Sequence, residues 1–486
     1  MFARIGNIVG YLLIILGASE LLPALMAVYF QEQTLILPFL VSALATMFIG
    51  AALYLAFQDL NEQASKHEII LFLFCTWLGL PLFASIPFMT SGVLTKLSDS
   101  YFEAASALTT NGSTILTNID LVPRTVIFWR SLLQWEGGLL ILCIAVAILP
   151  LTRIGGIEMF RSALPHGEGE GLMARIRYAF IPLIKIYTFL TALCMILLLL
   201  SGFGAFNSLT VAMATLSSGG FLPHETGLQN MFNGTIELIL LPFMILAATN
   251  FTYHWSFFSG SNLKIYKSDI EISGFFYILA VGAALILIGL VFANSHFEAG
   301  FLRKIWLALF SAVSILSTTG FLPDRAAEMP VSVIVIASIL LFIGGTTGST
   351  AGGFKILRFK ILLRHADREV SRLAHPHSIV PLRINDLNVS ASTLYAVWIL
   401  LFIFTSAAAF SAIFYGAMQL DLQTSLGLTL VNLFSAGGLT ELFAPDFVGY
   451  HSLPLAGKWL TSMIMIVGRL EVIAFMICFM PSFWRN

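Results

Sequence analysis

Leu316-Ser317-Thr318-Thr319-Gly320-Phe321 is the stretch on which the fold turns. It closes a half-polar segment, 303–320, too short to cross a bilayer whose hydrocarbon core, roughly 30 Å thick, takes about 20 helical residues. Three other short segments, 97–112, 206–220 and 421–438, end in a similar way: Leu108-Thr109-Thr110-Asn111-Gly112, Leu216-Ser217-Ser218-Gly219-Gly220-Phe221 and Leu433-Phe434-Ser435-Ala436-Gly437-Gly438. Each follows a helical-looking stretch and precedes an apolar run. The glycines Gly112, Gly219, Gly320 and Gly437 fall 107, 101 and 117 residues apart, an internal fourfold repeat.

Around these segments the chain is overwhelmingly apolar. With 58% hydrophobic and 10% charged residues and a mean hydropathy of +0.90, it has too little polar surface to cover itself in water, so its solvent is lipid. Runs of spanning length lie near 8–30, 38–57, 69–90, 125–150, 179–201, 235–255, 272–293, 331–363, 391–415 and 457–480. The fold class that follows is an all-α integral membrane protein of ten transmembrane helices plus four re-entrant half-helices. The net charge of −1 speaks for no nucleic-acid partner. Cys75, Cys143, Cys194 and Cys478 sit in apolar stretches without metal-ligand spacing and read as packing residues.

Orientation follows from the basic residues between spans. Arg153, Arg161, Arg175 and Arg177, then Lys264 and Lys267, then Lys355, Arg358, Lys360, Arg364, Arg368, Arg372 and Arg383 mark three connections as cytoplasmic. Both termini are then inside, and all four short segments enter from outside.

Backbone that is not helical cannot face lipid, because each unpaired N–H or C=O there costs several kcal/mol. The Ser/Thr/Gly loops must therefore line water or protein. Glycine accepts the φ > 0 conformations that let carbonyls turn inward, four such loops would replace a cation's hydration shell, and the half-helices point their negative C-terminal ends at the same axis. One such turn alone would be unremarkable punctuation or a close helix contact; four in register point to a monovalent-cation filter.

Two further features stand out. Gly344-Gly345-Thr346-Thr347-Gly348-Ser349-Thr350-Ala351-Gly352-Gly353 interrupts an apolar span. At roughly 1 kcal/mol per glycine it can hardly stay helical, so it either lines a cavity or forms a small-residue packing stripe. Arg469, in Gly468-Arg469-Leu470-Glu471, lies deep in the last span, where a charge marks function by default; a structural ion pair with Glu471 or another carboxylate is the plainer reading.

Together these residues resemble the superfamily of K⁺ transporters that includes TrkH and KtrB, with the bacterial TrkH family the closest, over essentially the whole chain. The resemblance implies a two-helix segment, 1–60, then four M1–P–M2 repeats at 61–165, 166–265, 266–375 and 376–486. It implies a K⁺ filter of Thr110, Asn111, Gly112, Ser217, Ser218, Gly219, Thr318, Thr319, Gly320, Ser435, Ala436 and Gly437, with K⁺ held at Thr110, Asn111, Ser218, Thr319 and Ala436. It also implies a gating loop at 344–353, including Gly345, Thr346, Gly348, Ser349, Gly352 and Gly353, with Arg469 beneath the filter as an electrostatic barrier. A homodimer in the bacterial inner membrane and a cytosolic TrkA-type nucleotide-binding subunit are expected as well. The chain has no P-loop or Gly-x-Gly-x-x-Gly after a strand, so nucleotide would act through the partner. The basic segment 355–383 could offer a docking surface or contact lipid headgroups.

Two positions depart from the family pattern. Asn111 stands where Thr or Ser is usual, and Glu136 stands where an apolar residue is usual. Glu136 either couples transport to a second ion or pairs with a basic group, Arg130 being badly placed for that on the same helix. Asp99, Glu103, Asp324 and Asp446 are expected as exposed carboxylates near the filter mouths. No His cluster or nucleophile elbow suggests an enzyme. The competing reading is a secondary transporter coupled to a proton or sodium gradient, but such carriers usually carry inverted repeats, and these repeats all run one way.

Overall fold

The computed structural model describes residues 2–57, 66–148, 172–224, 234–260, 266, 269–292, 300–322, 329–375, 381–384 and 387–469. Apart from an antiparallel pairing of β1 (Arg383–Ile384) with β2 (Leu387–Asn388), the regular elements among them are helical. The expected connections around Arg153 and Arg161 and around Lys264 and Lys267, together with Asp324, Glu471 and Cys478, lie outside the described residues.

The first apolar run divides at Glu20 into α1 (Phe2–Ser19) and α2 (Leu21–Tyr29), and α3 (Gln33–Ala56) packs along both. Small residues set that contact: a Cβ on Gly10 would lie 2.7 Å from the Gly50 carbonyl oxygen, and one on Gly50 would lie 2.8 Å from that of Gly10. Backbones this close gain dispersion contacts that lipid cannot outcompete.

The order long helix, short helix, long helix then recurs. It runs through α4 (Lys66–Ala84) with the short α5 (Ile86–Thr90), α6 (Leu97–Leu108) and α7 (Arg124–Cys143), and then through α8 (Leu172–Leu200), α9 (Ala205–Leu216) and the pair α10 (Gly234–Ala247) and α11 (Phe251–Phe258). The third set is α12 (Ile270–Phe292), α13 (Phe301–Leu316), α14 (Val331–Ile343) and α15 (Ile356–Ala374); the fourth is α16 (Ala391–Ala417), α17 (Leu422–Leu433) and α18 (Leu455–Arg469). The short helices α6, α9, α13 and α17 form the centre and are mostly buried, whereas Phe48, Leu200, Phe292 and Phe402 on long helices face outward.

Among the described residues seven helices are long and apolar enough to cross a membrane, or eight if α10 and α11 count as one span bent by 102°. Two of the ten expected runs are therefore not continuous helices. The 235–255 run breaks at Ala248-Thr249-Asn250, and the 331–363 run gives way to a non-helical segment between Ile343 and Ile356. These breaks satisfy each other. Thr346 N–H donates to the Ala248 carbonyl (3.0 Å), Thr350 N–H to that of Ala247 (3.2 Å), and Phe251 N–H to that of Gly348 (3.1 Å). Each loop thus supplies the partners that lipid would deny the other.

Candidate filter and gate

The four short helices end in one geometry. Thr110, Ser218, Thr318 and Ser435, directly after the helix caps, have φ of 49°, 53°, 55° and 56°. The next amide reaches back five residues in every copy: Asn111 to Ser106 (2.9 Å), Gly219 to Ala214 (3.0 Å), Thr319 to Ser314 (3.1 Å) and Ala436 to Val431 (2.8 Å). This is a Schellman termination, whose left-handed residue is ordinarily glycine. Here a hydroxyl residue occupies it four times, although an L side chain is disfavoured there.

The shared geometry fixes the register. Gly220 (φ 73°), not Gly219, shares the left-handed conformation of Gly112 (φ 89°) and Gly320 (φ 80°), and Gly219 takes the place of Asn111, Thr319 and Ala436. Choosing Gly219 as the recurring glycine is thus off by one residue in the second repeat. Gly437 differs again: it opens a 3₁₀ turn with Gly438 and Leu439.

The loops meet in chain order and close on themselves. A Cβ on Gly112 would lie 2.1 Å from the Gly219 oxygen, one on Gly220 2.0 Å from the Thr319 oxygen, one on Gly320 3.0 Å from the Gly438 Cα, and one on Gly437 2.2 Å from the Ser113 nitrogen. First touches second, second third, third fourth, and fourth first. Glycines on the flanking helices admit the same closeness, since a Cβ on Gly137 or Gly468 would lie 2.1 Å from the carbonyl oxygen ending α6 or α17, at Leu108 or Leu433.

The Asn111 side chain braces this ring. Its Nδ2 donates to the carbonyls of Asn432 (3.0 Å) and Val431 (3.4 Å), and its Oδ1 accepts from Ser113 N–H (3.2 Å). Ser113 Oγ in turn donates to Asn432 Oδ1 (2.9 Å) and meets Tyr450 Oη at 3.0 Å. The amide thus ties the first loop to the fourth short helix. Gln134 does related work for the second loop, its Oε1 accepting from Phe221 N–H at 3.3 Å.

Directly against the helix ends lies the 344–355 segment, which closes on itself through Phe354 N–H to the Phe342 carbonyl (2.8 Å), Lys355 to Ile343 (2.9 Å) and Ile356 to Gly345 (3.2 Å). Its crown reaches three helix ends. Thr350 Oγ1 donates to the Leu216 carbonyl (3.0 Å) and shares a hydrogen with Ser218 Oγ (2.9 Å); Gly352 N–H donates to Thr318 Oγ1 (2.7 Å); and a Cβ on Gly352 would lie 2.0 Å from the Phe434 oxygen. Arg469 supplies the fourth contact. Its Nε donates to the Thr109 carbonyl (2.7 Å), its Nη1 to that of Thr350 (3.1 Å), and its Nη2 to Thr110 Oγ1.

The guanidinium therefore sits at a negative helix C-terminus and bridges it to the interrupting segment. Lys355, in a left-handed conformation (φ 81°), turns its ammonium onto the Ala351 carbonyl (2.5 Å). A cavity beside the segment is lined by Thr347, Gly348, Ser349, Lys355, Arg358 and Arg469, three of them cationic. Such a lining repels a cation.

The structure thus brings together the filter residues named from the sequence, the 345–353 segment and Arg469. The sequence carries no sign of the roles of Gln134, Asn432 and Tyr450, whose partners are distant in the chain, and shows Lys355 only as a basic residue of a connection, not as one folded onto the Ala351 carbonyl. Glu103 is not an exposed carboxylate but fully buried, accepting from Ile115 N–H (2.9 Å) and pairing with Arg130 at 3.4 Å. Asp99 pairs with Lys458 at 2.9 Å, and Asp446 is exposed. With Arg130 so engaged, Glu136 lies instead beside Ser19 and Glu20, and no ion pair to it occurs among the described residues. On α15 the basic residues are partly matched: Glu369 meets Arg368 (2.8 Å) and Arg372 (3.3 Å), and the Arg368 hydrogen bond holds its carboxyl below the usual range.

Residues 38–486 match the family model described as TrkH, cation transport protein. The chain is 30% identical to the Trk system potassium uptake protein TrkH of Escherichia coli K12, covering 100% of both chains. It is 28% identical to TrkG of the same organism, over 98% of this chain and 97% of that one. The crystal structure of the potassium transporter TrkH from Vibrio parahaemolyticus superposes with a TM-score of 0.90 at 28% identity, again over the whole of both chains.

Proposed function

Because the chain belongs to the TrkH family of cation transport proteins, we propose that it takes up potassium across a bacterial inner membrane through a selective, gated pore. The observation that carries this reading is the closed ring of four loops with the 344–355 segment lodged against it. In this reading K⁺ is held by backbone carbonyls at the equivalent positions Asn111, Gly219, Thr319 and Ala436, with Thr110 and Ser218 one residue behind them in the register of the helix ends, and the Asn111 side chain acts as a brace. The broken α14–α15 span and the apolar run at 457–480 bring the expected crossings to ten around four pore helices, in four repeats with both termini cytoplasmic. The chain works as a transporter, not an enzyme, and binds no nucleotide itself. It pairs as a homodimer and takes its regulation from a cytosolic TrkA-type ring against α15. Segment 344–353 and Arg469 hold the pore shut by default, with Arg469 as the charge barrier.

Radioactive Rb⁺ uptake into proteoliposomes, with competing Na⁺ and with or without an imposed proton gradient, tests the proposal. Uptake that Na⁺ competes weakly and that proceeds without the gradient is expected. Uptake strictly dependent on the gradient would replace the channel reading with a coupled carrier, for which the neighbouring carboxylates Glu20 and Glu136 would be the natural seat.

A further inference from the structure

Resting on that reading of 344–355 as the gate, we infer that Glu271 is the positioning residue that keeps it closed and links it to α15. Glu271 stands in the first turn of α12, in a different helix from the gate, and is 7% exposed. Its carboxylate accepts from Thr347 N–H (3.1 Å to Oε1, 3.2 Å to Oε2), from Thr347 Oγ1 (2.9 Å) and from Leu357 N–H (3.1 Å). Thr347 belongs to the gate and Leu357 to the first turn of α15, so one carboxylate holds both.

Three features make this more than incidental packing. The N-cap of α15, Lys355, offers no side-chain cap, so the carboxylate of another helix caps the orphan Leu357 amide and complements the positive end of the helix dipole. Hydrogen bonds to a charged acceptor are the strong ones, and losing the acceptor strands buried donors. The surrounding charges, Asp269 on the approach to α12 and Lys355 and Lys360 from the gate and α15, leave the carboxylate flanked by both signs. Any displacement of α15 must break the Leu357 bond or drag the Thr347 bonds with it. A partner pulling on α15 would thus reach the gate without touching the pore.

The test is Rb⁺ flux through the full-length protein in proteoliposomes without its partner, for the parent, E271A, E271Q, T347V and, as a control that the pore conducts, R469A. Basal flux is expected to rise roughly ten-fold in E271A, less in E271Q, which keeps one acceptor, and least in T347V, which keeps the amide donor. The reversal potential between K⁺ and Na⁺ is expected to stay at the parent value, because the filter is untouched; a general loss of structure would collapse selectivity as well. E271A that elutes and melts like the parent, with parental basal flux while R469A leaks, overturns the inference and leaves the pore reading standing. Parent and R469A that both fail to pass Rb⁺ overturn the two together.

Discussion

The loop after the fourth short helix differs from the other three in what holds it. In the first three, the left-handed hydroxyl residue at the helix end is engaged by Arg469 or the interrupting segment: Thr110 by Arg469, Ser218 by Thr350 and Thr318 by the Gly352 amide. Ser435 is as buried, yet its hydroxyl has no partner. Its loop is fastened sideways instead, through Gly437 N–H to the Asn111 carbonyl (2.6 Å) and the Asn111–Asn432–Tyr450 network. Glycine would suit all four positions better conformationally. Three hydroxyls therefore offset their strain by bonding to the 344–353 segment or to Arg469, the gate of the proposed reading, while the fourth belongs to a loop that braces the ring.

The largest effect that sharpens this comparison is steric. Gly220→Ala would set a Cβ 2.0 Å from the Thr319 backbone oxygen in a left-handed conformation, a strain of several kcal/mol with nothing flexible to yield. Rb⁺ uptake is expected to fall to background. Gly219→Ala meets the Gln134 side chain instead, which can shift, and is expected to retain part of the flux. Equal losses from the two variants would undo the register assigned to the second loop.

Next in size is Arg469→Ala. It removes the bond to the Thr109 carbonyl, the bond to Thr110 and the link to Thr350 at once, along with a positive charge from the cavity lining. Basal Rb⁺ flux is expected to rise by about an order of magnitude or more, since each buried charge-assisted bond contributes roughly 1.5–3 kcal/mol. Flux at or below the parental level would show that the guanidinium is a strut and not a barrier.

What the sequence disclosed follows physical lines. The short helices and their hydroxyl–glycine endings were legible because a bilayer fixes helix length and because non-helical backbone at that depth needs glycine and small polar residues. The register of the second loop was not, since Gly219 and Gly220 are adjacent and only the backbone φ separates them. The elbow between α10 and α11 had only a faint local signal, Thr249-Asn250 within an apolar run, Asn250 capping α11 by accepting from Thr252 N–H; the partners that settle the break, the 344–355 amides that take the Ala247 and Ala248 carbonyls, come about a hundred residues later. Glu103 read as a mouth carboxylate because its counter-charge, Arg130, lies 27 residues away on another helix. Potassium as cargo came from family resemblance; periodicity supplies only a cation path.

The smallest effects test the asymmetry itself. Thr318→Gly relieves a β-branched residue of left-handed strain, about 1 kcal/mol, but deprives the Gly352 amide of its acceptor, a loss of similar size. Thermal stability should be nearly unchanged while basal flux rises a few-fold. Ser435→Gly relieves strain and removes a buried hydroxyl that has no partner, with no latch to lose. Its melting temperature in detergent should rise, by an amount equivalent to about 1 kcal/mol, and any gain in basal flux should be smaller than for Thr318→Gly. If Ser435→Gly leaks as much as Thr318→Gly, the fourth hydroxyl is latched to the gate like the others, and the distinction between a bracing loop and three gated ones falls.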